Sequence, residues 1–219
     1  MKSNLFLRVI IVLLLALGAF SARAASVAPD AAREWADKNG RLLLETFREP
    51  DLSERFAKLD DLFIRFVDLD YVSKFVMGKY WRLMTPQQQN IYRGIFKRYA
   101  LATYKSFPLD FVNSLTYAVG SAIEENGFTT VSATVTVTLD ANSGPQDFLL
   151  QFRLHDNGGK IQLVDIKFAE SSLILSLRGK FYTQLAELDG EIEWFLEDFE
   201  TMTYSLERSN QGKIGLSEQ

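Results

Sequence analysis

The sequence contains no cysteine and a single histidine, His155. Without thiols there is no disulfide framework, no thiolate zinc site and no cysteine nucleophile. Without a second histidine, only carboxylates remain as ligands for a metal. There is also no G-x-S-x-G motif of a serine hydrolase. We therefore expect no catalytic residue, no metal and no cofactor. His155 is either a surface histidine at the end of a strand or a general base whose nucleophile is not evident.

Long apolar runs are absent after the N-terminus, where a short one occurs. Lys2 and Arg8 form a basic start, residues 9–20 are apolar, and Ala22-Arg23-Ala24 fits a cleavage site. Residues 1–24 are therefore predicted to be a cleaved secretory signal peptide, and the protein is predicted to be soluble and periplasmic. Cleavage would change the formal net charge from −4 to −7, which disfavours nucleic acid as a partner.

Apolar residues are abundant, at 47% of the chain with 17 phenylalanines, and their spacing predicts the order of elements. Apolar positions recur every three or four residues in helices and alternate in strands. The predicted helices are 26–49, 51–67, 69–78, 85–107, 173–185 and 192–206. The predicted strands are 117–125, 128–139, 148–154 and 161–168. Asn126-Gly127 is a strong hairpin signal between two of them. This order predicts one α+β domain at 25–206, with a four-stranded antiparallel sheet, and a flexible polar tail at 207–219.

The segment 161–185 is predicted to pass from strand to helix without a glycine or proline between them. One strand face would carry Gln162, Val164, Ile166 and Phe168, and the other Leu163, Asp165 and Lys167. The helix stripe would comprise Leu173, Leu177, Phe181 and Leu185. Such a helix must fold back on the sheet. The space between them is either an ordinary core or a cavity for a long apolar ligand.

Acidic residues are concentrated near the C-terminus. They are Glu187, Asp189, Glu191, Glu193, Glu197, Asp198 and Glu200. Such a run is typical of a solvated helix face, and the alternatives are weak cation binding or docking to a basic partner.

Two segments carry a resemblance to a known family. The first is LDYVSKFVMGKYWR at residues 69–82, followed by Thr85-Pro86-Gln87-Gln88, Phe96 and Tyr104. The second comprises Val164, which is one position out of register, and Asp165, Ile166, Ser172, Leu173, Arg178 and Phe181. In this order the two segments resemble MlaC-type (toluene-tolerance) periplasmic phospholipid-binding proteins. Three positions depart from the family pattern, with Met77 in place of leucine, Glu170 in place of glycine and Leu177 in place of tyrosine.

The resemblance implies an NTF2-like, cone-shaped fold with an apolar cavity between a curved sheet and several helices. It implies a carrier without catalysis, which takes a phospholipid as cargo. Its implied partners are an inner-membrane ABC transporter with an MCE-domain subunit and an outer-membrane lipoprotein–porin complex. Alternatives are a carrier of a hopanoid-type lipid and a non-lipid periplasmic adaptor module.

The candidate lipid-binding residues follow from the family motifs and the apolar stripes. They are Phe75, Phe96, Tyr99, Tyr104, Val135, Leu150, Phe152, Ile166, Phe168, Leu173, Leu177, Arg178 and Phe181. Arg178 either contacts a phosphate at the mouth of the cavity or packs and pairs with Asp165 or Glu170.

Overall fold

The computed structural model describes residues 26–106, 115–138 and 144–217 of the chain. The helices are α1 Pro29–Phe47, α2 Leu52–Phe66, α3 Leu69–Met77, α4 Pro86–Lys105, α5 Leu173–Glu187 and α6 Ile192–Ser217. The strands are β1 Thr116–Glu125, β2 Phe128–Val137, β3 Gln146–Asp156, β4 Ile161–Phe168 and β5 Ser171–Ser172. A 3₁₀ turn, Gly78–Arg82, follows α3. The predicted signal peptide lies outside the described residues.

Side-chain caps start several helices where the sequence predicts them. Asp51 accepts a hydrogen bond from the Glu54 backbone nitrogen at 2.7 Å and begins α2. Thr85 and Gln88 form a reciprocal capping box at the start of α4, with distances of 3.2 and 2.9 Å. Each cap satisfies a backbone group that the helix leaves unpaired. No helix in the described ranges is both long enough and apolar enough to cross a membrane.

The sheet is antiparallel, with its strands in the order β1-β2-β3-β4-β5, which confirms the predicted α+β class. Within the described residues it contains five strands, whereas the sequence predicts four. The additional strand forms because Ala169 and Glu170 take positive φ angles of 45° and 69°, which turn the chain back so that Ser171 and Ser172 pair with β4. Residues other than glycine seldom adopt this backbone conformation, so the composition gives no signal for the turn.

A β-bulge changes the predicted faces of β4. Arg153 lies opposite Asp165 and Leu154 lies opposite Leu163, so Val164 is an extra residue in the ladder. The predicted alternation is therefore wrong before the bulge. Leu163 lies on the same face as Ile166, and Gln162 lies on the opposite face, because an inserted residue inverts the alternation.

Two apolar cores hold the elements together. The larger core lies among α3, α4, α5 and α6 and includes Tyr92, Phe181 and Phe199, which are fully buried. The smaller core lies between α1 and the sheet and includes Ala32, Val131 and Leu154.

Gly40 allows α1 to pack tightly on β1. A Cβ atom at this position would lie 2.6 Å from the Tyr117 ring. The Tyr117 hydroxyl donates a hydrogen bond to the Ala36 carbonyl at 3.0 Å, which fixes the ring beneath the helix. The sequence marks Gly40 as a weak point in the helix, and the packing explains its presence.

The C-terminal helix α6 extends to Ser217, beyond the predicted end at Leu206 and into the segment for which the sequence predicts a flexible polar tail. Arg98 of α4 donates hydrogen bonds to Glu200 at 2.6 Å and to Glu207 at 2.9 and 2.6 Å. Further along, the Asn210 side chain donates to the Ala102 carbonyl at 2.8 Å. These contacts with α4 order a polar segment whose composition alone indicates a tail.

Candidate functional site

One face of the sheet carries an apolar strip that the two cores cover only in part. Val135, Leu150 and Ile166 lie on this face and are half-buried, while Phe168 at its end is 45% exposed. The register places these side chains side by side, since Val135 lies opposite Phe148, Phe152 opposite Ile166, and Leu150 opposite both Ala133 and Phe168. On the same face, Val131 and Ala133 are fully buried.

Helix α1 shows the same contrast along its length. Its small residues Ala32 and Ala36 are buried against the sheet. Its larger residues Leu42, Leu43, Leu44 and Phe47 are only half-buried. Large apolar side chains that lie between packed elements but remain partly accessible are typical of the walls of an apolar ligand site.

Aromatic rings from three helices and the sheet form a second part of this surface. Trp35 of α1 packs against Phe66 of α2 with a centroid distance of 5.5 Å, and Phe63 of α2 stacks on Tyr104 of α4 at 5.2 Å. Tyr117 and Phe152 meet on the apolar face of the sheet at 6.3 Å. All six rings are half-buried, so each keeps a surface that a ligand could contact.

The tyrosines of this surface are uncharged at physiological pH. Burial raises the pKa of Tyr104 far above its ordinary value of 10.0, and the Asp60 carboxylate, which accepts a hydrogen bond from the hydroxyl, raises it further. Burial likewise raises the pKa of Tyr117, with a further contribution from Asp37. The two rings thus present neutral surfaces with their hydroxyl groups already bonded, which suits contact with hydrocarbon.

The predicted lipid-binding residues separate into two main groups. The sheet group shares the apolar face and comprises Val135, Leu150, Phe152, Ile166 and Phe168. The helix group belongs to or packs against the larger core and comprises Phe75, Phe96, Tyr99, Leu177 and Phe181. Tyr104 lies against Phe63 of α2, and Leu173 is 52% exposed at the start of α5. The role of every one of these residues in lipid binding remains a prediction.

Four aromatic residues of the surface were not among the predicted site residues. They are Trp35, Phe63, Phe66 and Tyr117. Trp35, Phe63 and Phe66 lie on apolar helix stripes, so a signal was present in the periodicity. That periodicity does not show whether such a ring is buried in a core or left half-exposed.

Arg178 does not form the ion pair that the sequence left open. Its Nη2 donates a hydrogen bond to the Tyr182 hydroxyl at 3.1 Å, and its guanidinium lies 5.0 Å from the centroid of the Phe75 ring. Asp165 has other partners, since it accepts hydrogen bonds from the Ser172 hydroxyl at 2.6 Å and the Ile174 backbone nitrogen at 3.3 Å. Asp165 therefore anchors the start of α5, and Arg178 forms no ion pair with a carboxylate among the described residues.

His155 is buried, and the prediction of a surface histidine is wrong. Its ring contacts those of Tyr71 and Phe128, with centroid distances of 5.5 and 6.1 Å, and the residue is only 4% exposed. Its Nε2 lies 3.0 Å from Oδ2 of Asp68, although neither ring nitrogen has the alignment of a hydrogen bond. Because Asp68 precedes α3 and His155 lies in β3, this contact joins the helices to the sheet. The turn nearby indicated exposure, but α3 covers this end of the strand.

The acidic run follows the end of α5 and the first half of α6. Glu200 pairs with Arg98, and most of the other carboxylates are exposed. Within the described residues, no group of three histidine, cysteine, aspartate or glutamate side chains is arranged to hold a metal. An open groove of about 490 Å³ runs between α5 and α6, with Leu188 and Met202 among its lining residues and no residue of the sheet. The residues that line this groove are therefore different from those of the apolar strip.

Comparisons with known proteins agree with this architecture. The family model described as MlaC protein matches residues 42–199. Among solved structures, the phospholipid-binding protein from Ralstonia solanacearum, determined in complex with a phospholipid, matches with a TM-score of 0.64 and 20% sequence identity. The match covers 80% of this chain and 98% of that one. No curated protein matches the sequence.

Proposed function

Because the chain belongs to the MlaC family, we propose that it is a carrier that encloses the acyl chains of a phospholipid, without catalysing a reaction on it. The observation that supports this most directly is the half-buried apolar strip of the sheet, with half-buried aromatic rings on α1, α2 and α4. The bound lipid in the Ralstonia protein, which shares the fold, is consistent with a lipid as the occupant.

The energetics of lipid transfer explain why such a surface is needed. Exposing a buried methylene to water costs about 0.8 kcal/mol, so two long acyl chains represent roughly 20 kcal/mol of unfavourable hydration. A carrier has to replace nearly all of that contact with protein. Neutral rings and aliphatic side chains supply it without burying an unpaired charge. The acyl chains are equally well accommodated in a bilayer, so the direction of transfer has to come from partners.

The proposal extends to location and partners. Residues 1–24 would direct export and be removed, which leaves the carrier in the periplasm. There it would exchange lipid with an inner-membrane ABC transporter that has an MCE-domain subunit, and with an outer-membrane lipoprotein–porin complex. Family membership supports this location and these partners, and the described residues add no separate argument for them.

Lipid content after a charge substitution on the apolar strip tests the proposal. Leu150→Asp would place a carboxylate among apolar side chains, at a cost of several kcal/mol if the charge stays unpaired. Since 1.4 kcal/mol corresponds to about a tenfold change in affinity, we expect at least roughly a tenfold loss of copurifying lipid. Lipid extraction and native mass spectrometry of protein purified from the periplasm measure this loss.

The neighbouring residue provides a matched control. Leu149 is 44% exposed, and as the adjacent residue of β3 it points to the opposite face of the sheet. Leu149→Asp is therefore expected to keep the lipid content of the wild type. A folded Leu150→Asp protein with full lipid content would exclude the strip as the binding surface. Wild-type protein that never copurifies with lipid would contradict the proposed function itself.

A further inference from the structure

A cluster of three side chains surrounds Gly78, between the end of α3 and the second and third turns of α5. We call Lys79, Arg178 and Tyr182 the Tyr182 cluster. The Tyr182 hydroxyl accepts hydrogen bonds from the Lys79 backbone nitrogen at 2.9 Å and from Arg178 Nη2 at 3.1 Å. Gly78 has a φ angle of +50°, and a Cβ atom there would lie 2.6 Å from Arg178 Nη2 and would also overlap the Tyr182 hydroxyl. The cluster therefore requires glycine at position 78.

Neither cation of the cluster has a carboxylate partner, whereas several other basic residues are already paired. Lys58, Lys74, Arg93, Arg98 and Lys105 each form an ion pair with a carboxylate. Within residues 26–106, 115–138 and 144–217, no carboxylate oxygen pairs with Lys79 or Arg178 at the 4.0 Å limit of an ion pair. The negative end of the α3 dipole amounts to roughly half a charge, so it offsets two full cations only in part.

Aromatic rings hold both cations close to the Tyr182 hydroxyl. The Arg178 guanidinium lies 5.0 Å from the Phe75 ring centroid and 5.1 Å from that of Tyr182. The Lys79 ammonium lies 4.9 Å from the Tyr80 centroid and 5.6 Å from that of Tyr182. Stacking on rings orients a guanidinium while leaving its in-plane N–H groups available. The lysine side chain is exposed and has four rotatable bonds, so its ammonium can turn towards a ligand.

We propose that the Tyr182 cluster binds a phosphate group, either that of a phospholipid headgroup or free phosphate. A guanidinium, an ammonium and a hydroxyl provide three separate donor groups and two positive charges, which suits the several oxygens and the charge of a phosphate. The hydroxyl accepts two hydrogen bonds, and its own proton has no acceptor in the part of the chain that the structure describes. That proton is available to a phosphate oxygen. The headgroup source rests on the proposed function, whereas binding of free phosphate does not.

The first arm of the test uses inorganic phosphate as the probe. The Lys79 backbone N–H donates to the Tyr182 hydroxyl, so its amide resonance in a ¹H–¹⁵N NMR titration reports on the cluster. In the wild type we expect a saturable shift of this resonance. In Lys79→Glu and in Tyr182→Phe we expect the affinity for phosphate to be at least tenfold weaker. The Gly78 amide serves as a second reporter in both variants. Lys97→Glu is the control, since Lys97 is an exposed residue of α4 and the substitution changes the net charge equally.

The second arm compares loading from vesicles that contain phosphatidylglycerol with loading from vesicles that contain diacylglycerol, which lacks the phosphate. A headgroup site predicts that wild type and Lys97→Glu favour phosphatidylglycerol at least tenfold and that Lys79→Glu and Tyr182→Phe lose this preference. If the cluster variants lose affinity for phosphate but keep the preference for phosphatidylglycerol, the cluster binds free phosphate and not the headgroup. If folded cluster variants match Lys97→Glu in both arms, the proposal is wrong. Failure of the wild type to load either lipid contradicts the carrier function, and the phosphate titration remains interpretable.

Discussion

Replacing Asp68 by alanine tests how the helices are joined to the sheet. Asp68 is 7% exposed and lies between α2 and α3. Its Oδ1 accepts a hydrogen bond from the Tyr71 backbone nitrogen at 2.9 Å, which caps α3. Its Oδ2 accepts one from the Asn157 side chain at 3.0 Å and lies 3.0 Å from His155 Nε2. One carboxylate thus connects α3 to β3 and to the turn after it.

The expected loss of stability has two parts. Removing a helix cap costs about 1 kcal/mol. Asn157 retains its bond to Gln162 at 2.9 Å, and because Asn157 is exposed, water can take the place of the Asp68 acceptor, so the lost hydrogen bond costs about 0.5–1.5 kcal/mol. The sum, about 1.5–2.5 kcal/mol, is a substantial part of the roughly 5–15 kcal/mol that is usual for a domain.

Asp51→Ala is the matched control. Asp51 caps α2 in the same way, by accepting a hydrogen bond from Glu54 at 2.7 Å, but it is exposed. We expect this variant to lose only the cap, about 1 kcal/mol. Urea unfolding of the mature protein measures both free energies, and Asn157→Ala completes a double-mutant cycle with Asp68→Ala. If Asp68→Ala is no more destabilising than Asp51→Ala, the buried contacts do not stabilise the fold and the reasoning is refuted.

Two further predictions concern the strained turn and the last helix. Glu170→Gly should stabilise the protein by about 1 kcal/mol and raise the urea midpoint of unfolding, because glycine adopts the φ angle of 69° without strain. Lys180→Gly is the control, since a glycine within α5 should lower the midpoint. A lower midpoint for Glu170→Gly would contradict the reasoning. Arg98→Ala should lower the free energy of unfolding by only about 0.2–1 kcal/mol, because the Arg98 side chain is 40% exposed. High salt screens the ion pairs, so the loss should be smaller there. Since the hydrogen bond from Arg98 lowers the pKa of Glu207, this contribution is complete above the ordinary carboxyl pKa of 4.5 and disappears as the pH falls through the lower, folded-state pKa. Urea unfolding on both sides of that pH should show the difference between wild type and variant shrinking in acid, and a constant difference would contradict the assignment.

The order and type of the elements could be predicted because their signals are local. The capping box at Thr85 depends on four consecutive residues. The hairpin at Asn126-Gly127 depends on two residues that accept positive φ angles, here 54° and 79°. The family resemblance of residues 69–82 and 165–181 is also a property of the linear sequence, and the family model confirms it.

The errors arise where distant segments meet. The bulge at Val164 is defined by pairing with β3, and β5 exists only because the chain turns back on β4. The burial of His155 depends on Tyr71 of α3, which is 84 positions away in sequence number and packs over the ring. No window of the sequence around His155 contains that information, so its place beside a turn led to the wrong expectation.

For the candidate site, too, some features are predictable from the sequence and others depend on tertiary packing. The sequence by itself determined that the protein has more large apolar side chains than a thin sheet-and-helix layer needs, and which faces of helices and strands carry them. Only the tertiary structure decided that Phe96 and Phe181 are enclosed among helices, while Leu150 and Ile166 remain half-buried on the sheet. Periodicity defines the direction of a side chain relative to its own element, but its burial depends on which other element packs against that face and how closely.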